Sequence, residues 1–247
     1  MGKNKLAKFE DMERFEHVVQ APYHKVQNND FCLKGNWNKE FFKNENPIVL
    51  ELGCGKGEYT VELAKKNSSV NFIGVDIKGA RLWKGAKQAS DKQLKNVGFL
   101  RTNIEIISQF FEENEIDEIW LTFPDPQMKK TRKRLTSTTF LKKYKTFLKK
   151  DGIIHLKTDS NFQYIYTREL AYLNKFEILT ETDNLYKSDI LNETLQIKTF
   201  YEKQWLSRGI TIKYIAFRLN DKPFKEPDTE IEKDEYRSFG RSAKDIH

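Results

Sequence analysis

Between residues 47 and 219 the chain alternates short apolar runs with amphipathic stretches of helical period. The run at 47–52 (PIVLEL) ends in a glycine cluster, which predicts a buried strand. A helix is predicted over 58–66, a second strand over 70–77 and the next helix over 81–93. Residues 97–101 predict a third strand, with 104–114 helical behind it. The fourth strand, 116–123 (IDEIWLTF), is stopped by Pro124 and Pro126. A helix over 137–150, a strand over 152–158 and a helix over 160–173 follow, and 210–219 (ITIKYIAFRL) alternates as a half-exposed strand does. Repeated strand–helix units predict an α/β architecture, a mostly parallel, doubly wound sheet covered on both faces. The pattern divides the chain into an N-terminal arm (1–46), one α/β domain (47–220) and an acidic tail (221–247). With Pro223, Pro227 and eight acidic residues against six basic ones, the tail is expected to be a solvated, loosely ordered extension.

Composition narrows the class. The chain has 247 residues, of which 38% are hydrophobic, enough for a core. No apolar run approaches the ~20 residues that span a bilayer, and the charged N-terminus does not resemble a secretory signal. Cys32 and Cys54 are the only cysteines, so neither a disulfide framework nor a cysteine zinc site is expected. These features predict a cytoplasmic protein with no metal and no membrane partner, and they leave monomer and homodimer equally open.

Charge changes the picture more. The net charge is +7, yet residues 129–150 hold ten basic side chains and no acidic one, so the remainder is net negative. A one-sign stretch raises affinity for polyanions, and phosphate backbones are the commonest such partners. Lys129, Lys130 and Arg132–Arg134 are therefore expected to hold phosphates, with Lys5, Lys8 and Arg14 of the arm extending that surface.

The first strand of the domain runs into Glu51-Leu52-Gly53-Cys54-Gly55-Lys56-Gly57. Glycines permit the tight turn and the close approach of a ligand to the backbone. Asp76 lies nineteen residues after Gly57, where a carboxylate accepts from ribose hydroxyls. The spacing is G-x-G-x-G rather than the dinucleotide G-x-G-x-x-G, and Glu51 would repel a pyrophosphate. Both points disfavour a nicotinamide oxidoreductase and favour S-adenosylmethionine, whose sulfonium and ammonium are cationic. Asn103, at the end of the third strand, suits either an adenine contact or a helix N-cap.

Phe123-Pro124-Asp125-Pro126 leaves the fourth strand at the same sheet edge, its two prolines fixing where the Asp125 carboxylate points. With residues 50–57, 73–77, 121–129, 157–159 and 199–202, this loop makes the chain resemble the bacterial tRNA (guanine-N7)-methyltransferases, within the class I S-adenosylmethionine-dependent methyltransferases. The resemblance implies a Rossmann-like fold with an antiparallel C-terminal strand, S-adenosylmethionine as cofactor with S-adenosylhomocysteine as its product, and tRNA as partner. It implies cofactor contacts at Glu51, Gly53, Gly55, Asp76, Asn103 and Asp125, with Asp125 also catalytic. It implies tRNA contacts at Lys129, Asp159, Thr199, Phe200, Tyr201 and Glu202. Asn103 stands where many members have Asp, Asp76 where many have Glu, and Gln127-Met128 replaces an aromatic-His pair.

The chemistry agrees with that implication. Guanine N7 carries an in-plane lone pair and no proton, so methylation needs placement rather than a general base. A carboxylate such as Asp125 or Asp159 can accept from guanine N1–H and the exocyclic amine. His155, on the fifth predicted strand, is expected in the core. Two other readings compete: methylation of an exocyclic amine on another RNA base, and a tRNA-binding protein without activity. The first often uses an Asn/Asp-Pro-Pro-aromatic loop, which Pro-Asp-Pro-Gln does not match. The second would be marked by degraded glycines or loss of Asp125.

Overall fold

Alternation along β2 (Ile48–Leu52) sends Ile48, Leu50 and Leu52 to one face of a sheet and Val49 and Glu51 to the other. All five are buried, because helices cover both faces. The computed structural model describes residues 3–21 and 31–238. Before β2 come α1 (Lys3–Arg14) and β1 (Val18–Gln20). After it come α2 (Glu58–Lys66), β3 (Asn71–Val75), α3 (Gly79–Asp91), β4 (Val97–Arg101), β5 (Ile116–Thr122), α4 (Thr138–Tyr144) and β6 (Leu148–Thr158). The described residues end with α5 (Asn161–Leu173), β7 (Glu177–Thr182), α6 (Phe200–Ser207), β8 (Lys213–Arg218) and the short α7 (Glu235–Ser238).

The eight strands form one sheet in the order β1-β4-β3-β2-β5-β6-β8-β7. Pairing is parallel from β1 through β6, in registers such as Leu50 with Ile73 and Leu50 with Ile119. β8 runs antiparallel between β6 and β7. Strand order reverses between β2 and β5, so the crevice for a ligand opens at the carboxyl ends of those two strands. That is the edge where the glycine loop and the Phe123–Pro126 loop emerge.

Most predicted strands and helices are present, with four differences. Residues 104–114 are not an α-helix: a 3-10 turn spans Ile104–Gln109, broken at Ile106. Three isoleucines in four positions resist a regular helix, and Phe110 and Phe111 turn into the core instead. The helix predicted over 137–150 stops at Tyr144, and β6 already begins at Leu148. Buried Phe147 and Leu148 turn the chain inward, and Leu148 pairs with Ile116. β8 is buried along almost its whole length rather than half-exposed, because both its faces are covered. Ile215 and Phe217 join the core cluster that holds Leu170 of α5 and Phe176, and Tyr214 and Ala216 join the one that holds Leu185 and Leu195. β7, a polar strand the pattern does not predict, pairs with its outer edge. The described part of the tail is not loosely ordered: Phe224 packs on Phe176, and Glu226, Asp234 and Tyr236 bind the body of the protein.

Within the expected arm, α1 packs on α3, with Met12 fully buried and Trp83 Nε1 donating to Asp11 Oδ2 at 3.0 Å. β1 extends the sheet beyond β4. Lys8 Nζ sits 4.9 Å from the Trp83 ring centre, and Arg14 is exposed. The Lys5 side chain and residues 239–247 of the expected tail lie outside the described residues. Among the described residues no helix is long and apolar enough to cross a membrane, and no acidic, His or Cys cluster could hold a metal ion.

Candidate active site

Gly53, Gly55 and Gly57 all adopt left-handed backbone, at φ 83°, 57° and 68°. At Gly57 the requirement is also steric. A Cβ there would lie 2.7 Å from Phe99 Cε1 and 3.1 Å from Gly85 Cα. A Cβ on Gly85 would in turn meet Lys56 O at 2.8 Å, so the loop and α3 touch glycine to glycine. The turn is tied down by Gly53 N and Cys54 N, which donate to Val75 O at 2.8 and 3.0 Å. Asp76 completes it: Oδ2 accepts from Gly55 N at 3.0 Å and Oδ1 from Lys78 N at 2.7 Å. Asp76 is half-buried, and each oxygen keeps a lone pair for a further donor.

Glu51 lies beneath the loop, on the α2 face of the sheet. Its carboxylate accepts from Thr60 N at 2.9 Å and from the hydroxyls of Thr60 and Thr122. Burial pushes its pKa up to about 7, against the pull of those hydrogen bonds. The two threonines, one on α2 and one ending β5, were not legible as partners. Asn103 is the N-cap of the turn after β4, its Oδ1 accepting from Glu105 N at 3.0 Å. That meets the capping alternative and leaves the amide nitrogen pointing from an exposed position.

Asp125 stands exposed on a rigid loop. Phe123 and Gln127, two residues to either side, are left-handed at φ 50° and 47°. Phe123 N donates to Lys157 O at 2.8 Å, and Asp125 Oδ1 accepts from Gln127 N at 3.0 Å. Arg134 locks the loop from below, donating from Nε to Pro126 O at 2.9 Å and from Nη2 to Gln127 O at 3.2 Å. Its guanidinium stacks 3.9 Å from the Tyr166 ring centre and is 3% exposed, so it is not available to a phosphate. This corrects one member of the basic stretch. Others are also committed: Lys133 to Glu105 at 2.5 Å, Lys145 to Asp221 at 3.1 Å and Lys149 to Asp117 at 2.6 Å. Lys129, Lys130 and Arg132 remain exposed beside Asp125, with no ion pair among the described residues.

The other expected contacts divide between surface and interior. Asp159, at the end of β6, is fully buried; Tyr236 OH donates to its Oδ2 at 2.8 Å and Lys213 Nζ to its backbone oxygen at 3.0 Å. Thr199 and Glu202 form the capping box of α6. Glu202 also meets Lys157 in an ion pair of 2.8 Å in which both side chains are wholly buried. The remaining Lys157 protons go to Leu195 O and Ile197 O, each at 2.8 Å. Burial lowers the pKa of this ammonium, and Glu202 opposes the shift. Phe200 and Tyr201, between the capping residues, are exposed at 48% and 43%. Lys56 of the glycine loop lies 4.1 Å from the Phe200 ring centre, and Phe200 N donates to Glu58 Oε2 at 2.8 Å. α6 therefore brings two aromatic faces to the mouth of the glycine loop.

His155 is in the core, as expected. It stacks on Trp120 with ring centres 4.1 Å apart, and its nitrogens meet Tyr214 OH at 2.7 Å and Glu118 Oε2 at 3.1 Å. Arg134 and Lys157 are the organising residues that sequence reasoning missed: Arg134 is hidden among the cations of the basic run, and the only sign of Lys157 is a lone cation ending the apolar run 153–156.

A carboxylate-lined glycine loop, a rigid exposed Asp and three cations with no ion pair among the described residues share one sheet edge. A family model described as a putative methyltransferase matches residues 45–215. The tRNA (guanine-N(7)-)-methyltransferase of Bacteroides fragilis (strain YCH46) is 58% identical over 245 residues, 99% of this chain and 97% of the relative. That of Porphyromonas gingivalis (strain ATCC BAA-308 / W83) is 55% identical, covering 94% of this chain and 98% of its own. Among solved structures, the 30S ribosomal A1408 methyltransferase from an uncultured bacterium superposes with a TM-score of 0.55 at 15% identity, over 75% of this chain and 93% of that one, a likeness of fold. The chain belongs to the tRNA (guanine-N(7)-)-methyltransferase family.

Proposed function

We propose that this chain transfers the methyl group of S-adenosylmethionine to N7 of the variable-loop guanine, position 46, of tRNA, leaving S-adenosylhomocysteine. The residues present fit that cofactor. Left-handed glycines bring bare backbone to the crevice, and Glu51 and Asp76 supply two carboxylates for a ligand that carries two cationic centres and a ribose. Glu51, Gly53, Gly55, Asp76, Asn103 and Asp125 would hold it. When bound, S-adenosylmethionine supplies an electrophilic methyl group on a sulfonium.

The chain's own work is placement. N7 has no proton to lose, so no base is needed; His155 is stacked on Trp120 in the core, and the Cys54 side chain is buried beneath the glycine loop. Asp125 accepts from guanine N1–H and the exocyclic amine, aligning N7 with the methyl group. Its charge also offsets the positive charge that the purine gains in the transition state. Lys129, Lys130 and Arg132 hold phosphates beside it, and Phe200 and Tyr201 offer aromatic faces to unstacked bases.

One observation carries this reading: Asp125 is fixed between two left-handed residues and an arginine clamp, at the edge where the glycine loop opens. The test uses purified protein, labelled S-adenosylmethionine and an unmodified tRNA transcript, with reduction and aniline treatment afterwards. Label and a single cut in the variable loop are expected. Label without that cut would place the methyl elsewhere than N7, and no label would overturn the assignment as an enzyme on tRNA.

A further inference from the structure

Asp159 poses a problem for the reaction just proposed. It ends β6 beside the Asp125 loop, where a carboxylate could meet guanine, yet it is 0% exposed. The C-terminal segment lies against it. Tyr236 donates its OH to Asp159 Oδ2 at 2.8 Å and sets its ring edge-on to Trp205 of α6, with centres 5.4 Å apart.

The rest of the segment crosses the same edge. Asp234 accepts from Phe162 N at 3.0 Å and from Ser160 OH, at the start of α5. Glu226 accepts from Thr138 N at 2.9 Å and from the hydroxyls of Thr138 and Tyr166. Between these anchors the chain belongs to no strand or helix and makes no backbone–backbone hydrogen bond to the body among the described residues. Glu226, Pro227, Thr229 and Ile231 share a cleft of about 600 Å³ with Arg132 of the basic loop. Residues 226–235 hold six acidic side chains and one lysine, opposite in sign to that loop.

We propose that residues 226–236 form an acidic strap that covers Asp159, competes with RNA for the basic loop, and is displaced when tRNA binds. A segment held by side chains at a few points, without ladder hydrogen bonds, opens at low cost. Its charge gives the displacement a direction, since phosphates and strap carboxylates seek the same cations. This rests on the reading of Asp159 and the basic loop as the tRNA-facing edge.

The test measures equilibrium binding of unmodified tRNA to the full chain, with S-adenosylmethionine affinity and thermal melting alongside. Asp228→Asn/Glu230→Gln/Glu232→Gln neutralises three exposed acids that anchor nothing. It is expected to tighten tRNA binding several-fold at low salt, a gain that vanishes at high salt. Tyr236→Phe, which keeps the ring on Trp205 and removes one charge-assisted bond, is expected to tighten it by roughly fivefold. Cofactor affinity should stay as in the parent in both variants; the melting temperature should stay so in the triple variant and fall slightly in Tyr236→Phe, which takes a donor from a buried carboxylate. Unchanged or weaker tRNA binding in both variants of a parent that methylates tRNA would overturn the strap. A parent that does not methylate tRNA, with both variants still binding it more tightly, would sink the proposed reaction and leave the strap standing.

Discussion

The two sides of the crevice are built by opposite means. On the β2–β4 side, the glycine loop gets its shape from missing side chains: Gly57 packs on Gly85 and Phe99, and Asp76 grips the loop's own amides. On the β5–β6 side, loops are held from beneath by buried charge, with Arg134 under the Asp125 loop and Lys157 with Glu202 under α6. The first suits a small ligand of fixed shape. The second leaves cations and aromatic rings at the surface while anchoring the backbone that carries them, which suits a polymer. Breaking each side should therefore fail differently.

The largest effect is expected on the second side. Lys157→Met leaves Glu202 buried and unpaired, and should cost about 3–5 kcal/mol in urea unfolding. Adding Glu202→Leu should recover much of that loss, because the uncompensated charge is gone. On the glycine side, Gly57→Ala places a methyl group on Phe99 at positive φ, costing about 1–3 kcal/mol and abolishing S-adenosylmethionine binding by calorimetry while tRNA binding persists.

Within the basic stretch the contrast sharpens. Lys129→Gln/Lys130→Gln/Arg132→Gln should weaken tRNA binding by tens of fold at low salt and lower the log–log salt slope by roughly 2, without changing stability. Arg134→Gln should instead lower stability and leave that slope intact, since its guanidinium is buried on the carbonyls of Pro126 and Gln127.

The smallest effect concerns Glu51. Its pKa is raised by burial, so the folded state favours the protonated acid. Stability relative to Glu51→Gln should be greatest below the unfolded carboxyl's pKa, fall as pH rises from about 4.5 to about 7, and then level off. A cationic ligand favours the ionised form, so S-adenosylmethionine affinity should rise a few-fold over the same window. A flat profile in both measurements would show that Glu51 does not face the cofactor's charge.

The same contrast explains what was legible in the sequence. Apolar runs and glycine spacing report packing within a unit, so β2 through β5 and the glycine loop could be read along the chain. Asp76 and Asp125 were legible because strand ends and prolines fix them locally. What a charged side chain does depends on partners far away in sequence: Lys157 on Leu195 and Ile197, Glu51 on Thr122, Asp159 on Tyr236. The acidic tail reads as solvated because its composition is polar, yet Glu226 and Asp234 bind amides and hydroxyls that composition does not reveal. Residues 104–114 and 137–150 were misread because buried aromatics outweighed helical periodicity.

The central claim is that Asp125 joins the two sides, placing guanine on the cofactor. Single-turnover methylation of a tRNA transcript by Asp125→Ala, at saturating S-adenosylmethionine and with tRNA affinity measured in parallel, tests it most directly. The account predicts a rate lower by roughly 10²-fold or more, with tRNA affinity within about twofold of the parent because the phosphate contacts remain. Near-normal turnover by that variant would contradict it.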